Sequence, residues 1–154
     1  MSRLQVSTKN IIATDNAFST LTHRKYRNRH HVFSRSCIFV VDDEPTIASS
    51  LAAILQISGF SASFFTSPLE ALAAARLESP DLVISDVAMP GISGIDLAIQ
   101  IRAQYPNCKI LLFSGQAGTL DLLEAARAEG YDFRLLQKPV IPSEFLSEIE
   151  QLHA

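Results

Sequence analysis

From Ser36 onward, apolar residues fall in short unbroken blocks, separated by stretches where they recur every three or four positions. Cys37-Ile38-Phe39-Val40-Val41 is the first block, and it ends in Asp42-Asp43-Glu44-Pro45. An unbroken apolar block of strand length predicts a strand covered on both faces. Pro45 suits a first helical turn, and Glu44 suits the positive end of the helix dipole. Ile47, Leu51, Ile54 and Leu55 then repeat at helical spacing, and Gly59 closes the helix. Ser61–Phe65 predicts a second strand, and Ser67-Pro68-Leu69-Glu70 a capping box opening an Ala-rich helix through about Leu77. Leu82-Val83-Ile84 predicts a third strand ending in Asp86. A loop through Gly94 follows, then a helix carrying Ile95, Leu97, Ile99 and Ile101, broken at Tyr105-Pro106. Ile110–Phe113 predicts a fourth strand ending in Ser114-Gly115, and Leu120–Ala128 a helix stopped by Gly130. Phe133–Gln137 predicts a fifth strand ending in Lys138-Pro139, and Ile141–Leu152 the last helix.

Five strand–helix alternations predict an α/β fold: a doubly wound, five-stranded parallel sheet with helices on both faces. Ligands of such sheets bind beyond the carboxyl ends of the strands. The residues placed there are Asp42, Asp43 and Glu44, then Asp86, then Ser114 and Gly115, then Lys138. A lone Asp after a strand most often caps a helix. Asp86 in register with two further acids, a hydroxyl and an amine points to chemistry instead. Clustered carboxylates repel and raise one another's pKa, so a cation must compensate. Oxygen ligands with room for water suit Mg2+. Lys138 adds a compact positive charge for a phosphate oxygen, and the isolated Asp86 is placed to act as a carboxylate nucleophile forming an aspartyl phosphate. Neither a GxxxxGK[ST] nor a GxGxxG motif supports nucleotide binding.

A length of 154 residues is one domain's worth, and 47% hydrophobic with 19% charged residues is a globular composition. No apolar run approaches the ~20 residues of a membrane span. Two cysteines, Cys37 and Cys108, are too few for a disulfide framework and read as buried reduced thiols. The net charge of −3 hides an asymmetry. Residues 1–35 carry seven Lys/Arg and one acid, whereas residues 36–154 carry six and fifteen. Residues 1–35 therefore read as a basic, disordered extension without the apolar core of a secretory signal. That head offers the one route to nucleic acid or an anionic surface. His23, His30 and His31 within it lack neighbouring ligands for a metal set, and His153 reads as solvated.

VVDDEP, SDVAMPGISG, LLFSG and LLQKP, in this order on successive strands, resemble the receiver domain of two-component response regulators across residues 36–154. The resemblance implies a flavodoxin-like sheet of order 2-1-3-4-5. It implies Asp86 as the phosphoacceptor, Asp43 and Asp42 as Mg2+ ligands (Asp42 chiefly through water), and the backbone carbonyl of Ala88 completing the set with Asp86. Ser114 would be the switch hydroxyl, and Lys138 would meet a phosphoryl oxygen, with a cis Lys138–Pro139 peptide. The family's switch aromatic, three residues before the Lys, is Leu135 here; Phe133, two residues earlier on the same strand face, is the candidate to take the role through a bulge. Ala88 has no polar side chain to position water, so a long-lived phosphoryl state is implied.

The chain is thereby expected to be a cytoplasmic single-domain regulator that ends after its last helix. It would be no enzyme beyond catalysing its own phosphorylation and dephosphorylation. A sensor histidine kinase or a histidine phosphotransfer protein would donate the phosphoryl group. Output would pass through a downstream protein target, through homodimerisation, or through return of the phosphoryl group in a relay. Two alternatives stand beside this reading. One is a receiver-like binding module that works without phosphorylation. The other is a Mg2+-dependent phosphatase of the haloacid-dehalogenase type, although that class places a DxD pair of acids on its first strand.

Overall fold

The computed structural model describes residues 36–153; the readings made for the basic head lie outside them. Five strands alternate with five helices: β1 (Cys37–Val41), α1 (Pro45–Ile57), β2 (Ser61–Phe65), α2 (Pro68–Leu77), β3 (Leu82–Asp86), α3 (Gly94–Gln104), β4 (Lys109–Ser114), α4 (Thr119–Ala128), β5 (Arg134–Gln137) and α5 (Pro142–His153). The strands form one parallel sheet in the order β2-β1-β3-β4-β5, as expected. Its inner strands, β1, β3 and β4, supplied the unbroken apolar blocks because helices cover both of their faces.

Alternate residues along each strand feed two separate cores. Phe39, Val41, Val83, Ile110 and Leu112 pack with Ala71, Ala75, Leu97 and Ile101 of α2 and α3. Ile38, Val40, Leu82, Ile84, Leu111 and Phe113 pack with Leu51, Leu55, Phe145 and Ile149 of α1 and α5. Helix α4 belongs to the first layer but contributes little to it: its buried residues are Thr119 and Ala126.

Several local expectations change. Pro68 does open α2, but Ser67 makes no side-chain cap bond. The reciprocal cap is at α3, where Ser93 Oγ accepts from the Asp96 N–H at 3.1 Å and donates to its carboxylate at 3.0 Å. Gly59 and Gly130 do stop α1 and α4, each at a φ of 94°, where a side chain would be strained. His153 is half-buried against the Phe60 ring, with centroids 5.7 Å apart, rather than solvated. Cys108 is buried and Cys37 half-buried, and both are free thiols; burial pushes their pKa up to about 12 and about 11.

Candidate functional site

Parallel pairing in register brings four strand ends to one rim. Val41 pairs with Ser85, so Asp42 follows at the level of Asp86. Asp86 pairs with Phe113, and Ser114 with Gln137, which places Ser114 one step and Lys138 two steps further along that rim. Carboxylate oxygens of Asp42, Asp43 and Asp86 lie within 4.8 Å of one another. Asp42 is fully buried and Asp43 is exposed. Lys138 Nζ sits 3.4 Å from Asp86 Oδ2 and 3.6 Å from Asp42 Oδ2. The same ammonium lies 5.1 Å from the centroid of the Phe113 ring, within cation–π range.

Asp42 Oδ1 accepts from the Glu44 N–H at 2.9 Å, which fixes the carboxylate at the start of α1. Its Oδ2 is buried without a hydrogen-bond partner. Burial holds the pKa of Asp42 above the ordinary carboxylate value, against the opposing pull of the Glu44 N–H and Lys138. Burial likewise raises Asp86, and Lys138 and a backbone hydrogen bond from Ala88 oppose it. A buried carboxylate oxygen that accepts no hydrogen bond, beside two more acids, fits a hard divalent cation held through one or two carboxylates and water. Mg2+ therefore suits the donor set present.

Backbone contacts place Asp86 and the lysine. The Lys138 N–H donates to the Ser114 carbonyl at 2.9 Å, and the Lys138–Pro139 peptide is cis. The start of α3 packs directly on the Asp86 backbone. The Gly94 N–H donates to the Val87 carbonyl at 2.9 Å, and a Cβ at Gly94 would land on the Asp86 carbonyl oxygen. Ser114 is buried; its Oγ lies 2.6 Å from Thr119 Oγ1 and accepts from the Gln116 N–H at 3.1 Å.

One candidate is not brought to the rim. Phe133 precedes β5, whose pairing with β4 runs from Arg134 opposite Leu111 to Gln137 opposite Ser114 without a bulge. Four residues of strand, about 13 Å, thus separate Phe133 from the level of Ser114. It is buried instead against Tyr131, at 5.8 Å between centroids, and under the Arg102 guanidinium at 5.7 Å. The predicted shift fails because Phe133 has an apolar niche at its own level. Gly94 and Thr119 were not singled out from the sequence. The Gly after MPGIS is a readable signal; a buried hydroxyl at the front of a helix is not.

The family model described as the response regulator receiver domain matches residues 38–150. The chain belongs to that family. It is 32% identical over 118 residues to the transcriptional regulatory protein CreB of Escherichia coli, covering 77% of this chain and 51% of CreB. A receiver domain structure from Clostridium thermocellum superposes with a TM-score of 0.68 at 31% identity, covering 77% of this chain and 94% of that one. The chemotaxis protein CheY4 of Vibrio cholerae gives 0.69 at 27% identity, covering 76% and 98%. The chain thus spans between about a fifth and a half of the length of such curated relatives, and nearly all of the isolated receiver structures. This receiver carries no helix, among the described residues, long and apolar enough to cross a membrane.

Proposed function

We propose that this receiver takes a phosphoryl group onto Asp86 from the phosphohistidine of a sensor histidine kinase or a phosphotransfer protein. The observation that carries the reading is the rim itself: Asp86 at 3.4 Å from Lys138, beside Asp42, whose buried Oδ2 accepts no hydrogen bond. In the step, the phosphorus–nitrogen bond of the donor breaks as a phosphorus–oxygen bond to an Asp86 carboxylate oxygen forms, and the donor imidazole leaves. Asp42, Asp43, Asp86 and the Ala88 carbonyl would hold Mg2+. When bound, the ion shields the nucleophile from the phosphoryl oxygens and spreads their charge. Lys138 moves from pairing with carboxylates to pairing with a phosphoryl oxygen. Ser114 donates its hydroxyl to another.

The added charge, about −1.5 to −2 by analogy with other phosphoryl groups, biases the receiver between two states. We propose that the output passes through protein contacts, with a partner protein or a second copy, in the cytoplasm. Catalysis is confined to the receiver's own phosphorylation and dephosphorylation. CreB is named as a transcriptional regulator, but that activity belongs to the longer protein.

Incubation with acetyl phosphate and Mg2+ tests the assignment. Wild type is expected to label stoichiometrically, and Asp86→Asn not at all. Stoichiometric labelling of Asp86→Asn overturns it.

A further inference from the structure

The family's switch aromatic has no counterpart in β5: Leu135 stands at its position, and Phe133 is committed ahead of the strand. A different residue touches the switch hydroxyl. Thr119 is the first residue of α4, it is buried, and its Oγ1 lies 2.6 Å from Ser114 Oγ. A hydroxyl offers one hydrogen and two acceptor positions. Ser114 Oγ already accepts from the Gln116 N–H. The two hydroxyls share one hydrogen between them, and among the described residues no hydrogen bond takes the other. A phosphoryl oxygen on Asp86 is an acceptor for it. The chain Thr119 O–H to Ser114 O–H to phosphoryl oxygen is then complete, and each bond polarises the next.

Helix α4 is built to respond. Its N-cap is Gly118, which has no side chain to close the first turn, and Thr119 and Ala126 are its buried residues. The Ser114–Thr119 bond is therefore a main tether of its first turn. If Ser114 moves toward Asp86 alone, Thr119 is left as a buried hydroxyl without a partner, which is unfavourable; following Ser114 avoids that.

We propose that Thr119 is the positioning residue that carries the phosphorylation state of Asp86 into helix α4, in place of an aromatic side chain on β5. The proposal rests on the receiver reading above. Fluoroberyllate with Mg2+, a stand-in for the phosphoryl group, is the probe, and the amide NMR spectrum is the readout. Wild type is expected to shift at Asp86 and throughout Leu120–Ala128. Thr119→Val, similar in shape but without the hydroxyl, is expected to keep the shifts at Asp86 and labelling by acetyl phosphate within about threefold, the scale of one lost neutral hydrogen bond. It should lose the shifts in α4, and Thr119→Ser should restore them. If Thr119→Val does not fold, Thr119→Ala carries the same expectation. A hydroxyl-free variant whose α4 shifts match wild type overturns the proposal. So does a wild type that binds the probe at Asp86 while α4 stays unmoved, though it spares the receiver reading. A wild type that does not respond at Asp86 overturns both.

Discussion

Asp42 is held without solvent exposure, one oxygen bonded to the Glu44 N–H and the other meeting Lys138 at 3.6 Å. Its pKa in the folded protein lies above the ordinary 3.8, chiefly through burial. Below that ordinary value the side chain is protonated in folded and unfolded chains alike, and it contributes nothing to the pH dependence. As the pH rises through the raised value, the unfolded chain ionises more readily, and the folded state loses stability. Asp86 acts in the same direction. Asp42→Asn is therefore expected to be more stable than wild type at pH 7. The gap should close as the pH falls toward 4. Urea midpoints at both pH values check this; equal midpoints at pH 7 would refute it. The rim sacrifices stability to keep its acids together, as sites tuned for chemistry do.

At the scale of elements, α3 decides where Asp86 stands. Its first residue is Gly94, and a methyl group there would meet the Asp86 carbonyl and come within 3.0 Å of Ser85 Oγ. Gly94→Ala is expected to destabilise the protein by about 1–3 kcal/mol, because backbone rather than a flexible side chain must give way. It should also slow labelling by acetyl phosphate more than Gly118→Ala, where an added Cβ meets nothing. Thermal melts and labelling time courses separate the two. The same elements show how much was legible beforehand. Inner strands bury both faces, so their apolar blocks and the polar residues ending them stood out, and with them Asp42, Asp86, Ser114 and Lys138. Which Ser caps its helix was less legible. Ser67 and Ser93 both precede an acid by three residues, and the geometry gives the cap bond to Ser93 alone. Phe133 was placed wrongly because strand alternation fixes the face but not the height of a side chain. Thr119 escaped notice because it is a buried hydroxyl bonded to another hydroxyl, a pairing that no apolar pattern marks.

For the molecule as a whole, the crowded carboxylates are a debt that a cation relieves. A ligand that binds only the folded state stabilises it by an amount set by its concentration over its Kd, about 2.7 kcal/mol at a hundredfold excess. Mg2+ is thus expected to raise the Tm by on the order of 5–10 °C at pH 7. The rise should be smaller at pH 5, where protons compete for the raised carboxylates, and smaller still in Asp86→Asn. Melts with and without MgCl2 measure it, and a Tm insensitive to Mg2+ would sink the metal assignment.

Because all five strands run the same way, the molecule has two unlike poles. Asp86 and its neighbours crown one. At the other, the Cys37 N–H is held by the Asp81 carboxylate at 2.7 Å, ahead of β3. The end of α5 returns to that pole as well, with His153 against Phe60 just before β2. Both ends of the described stretch thus lie at the pole opposite Asp86, about 16 Å away along the strand direction, one strand's length. A fluorophore or affinity handle attached at Ser36 or near the end of α5 would hang from the far pole, leaving the approach to Asp86 clear for the proposed phosphoryl donor.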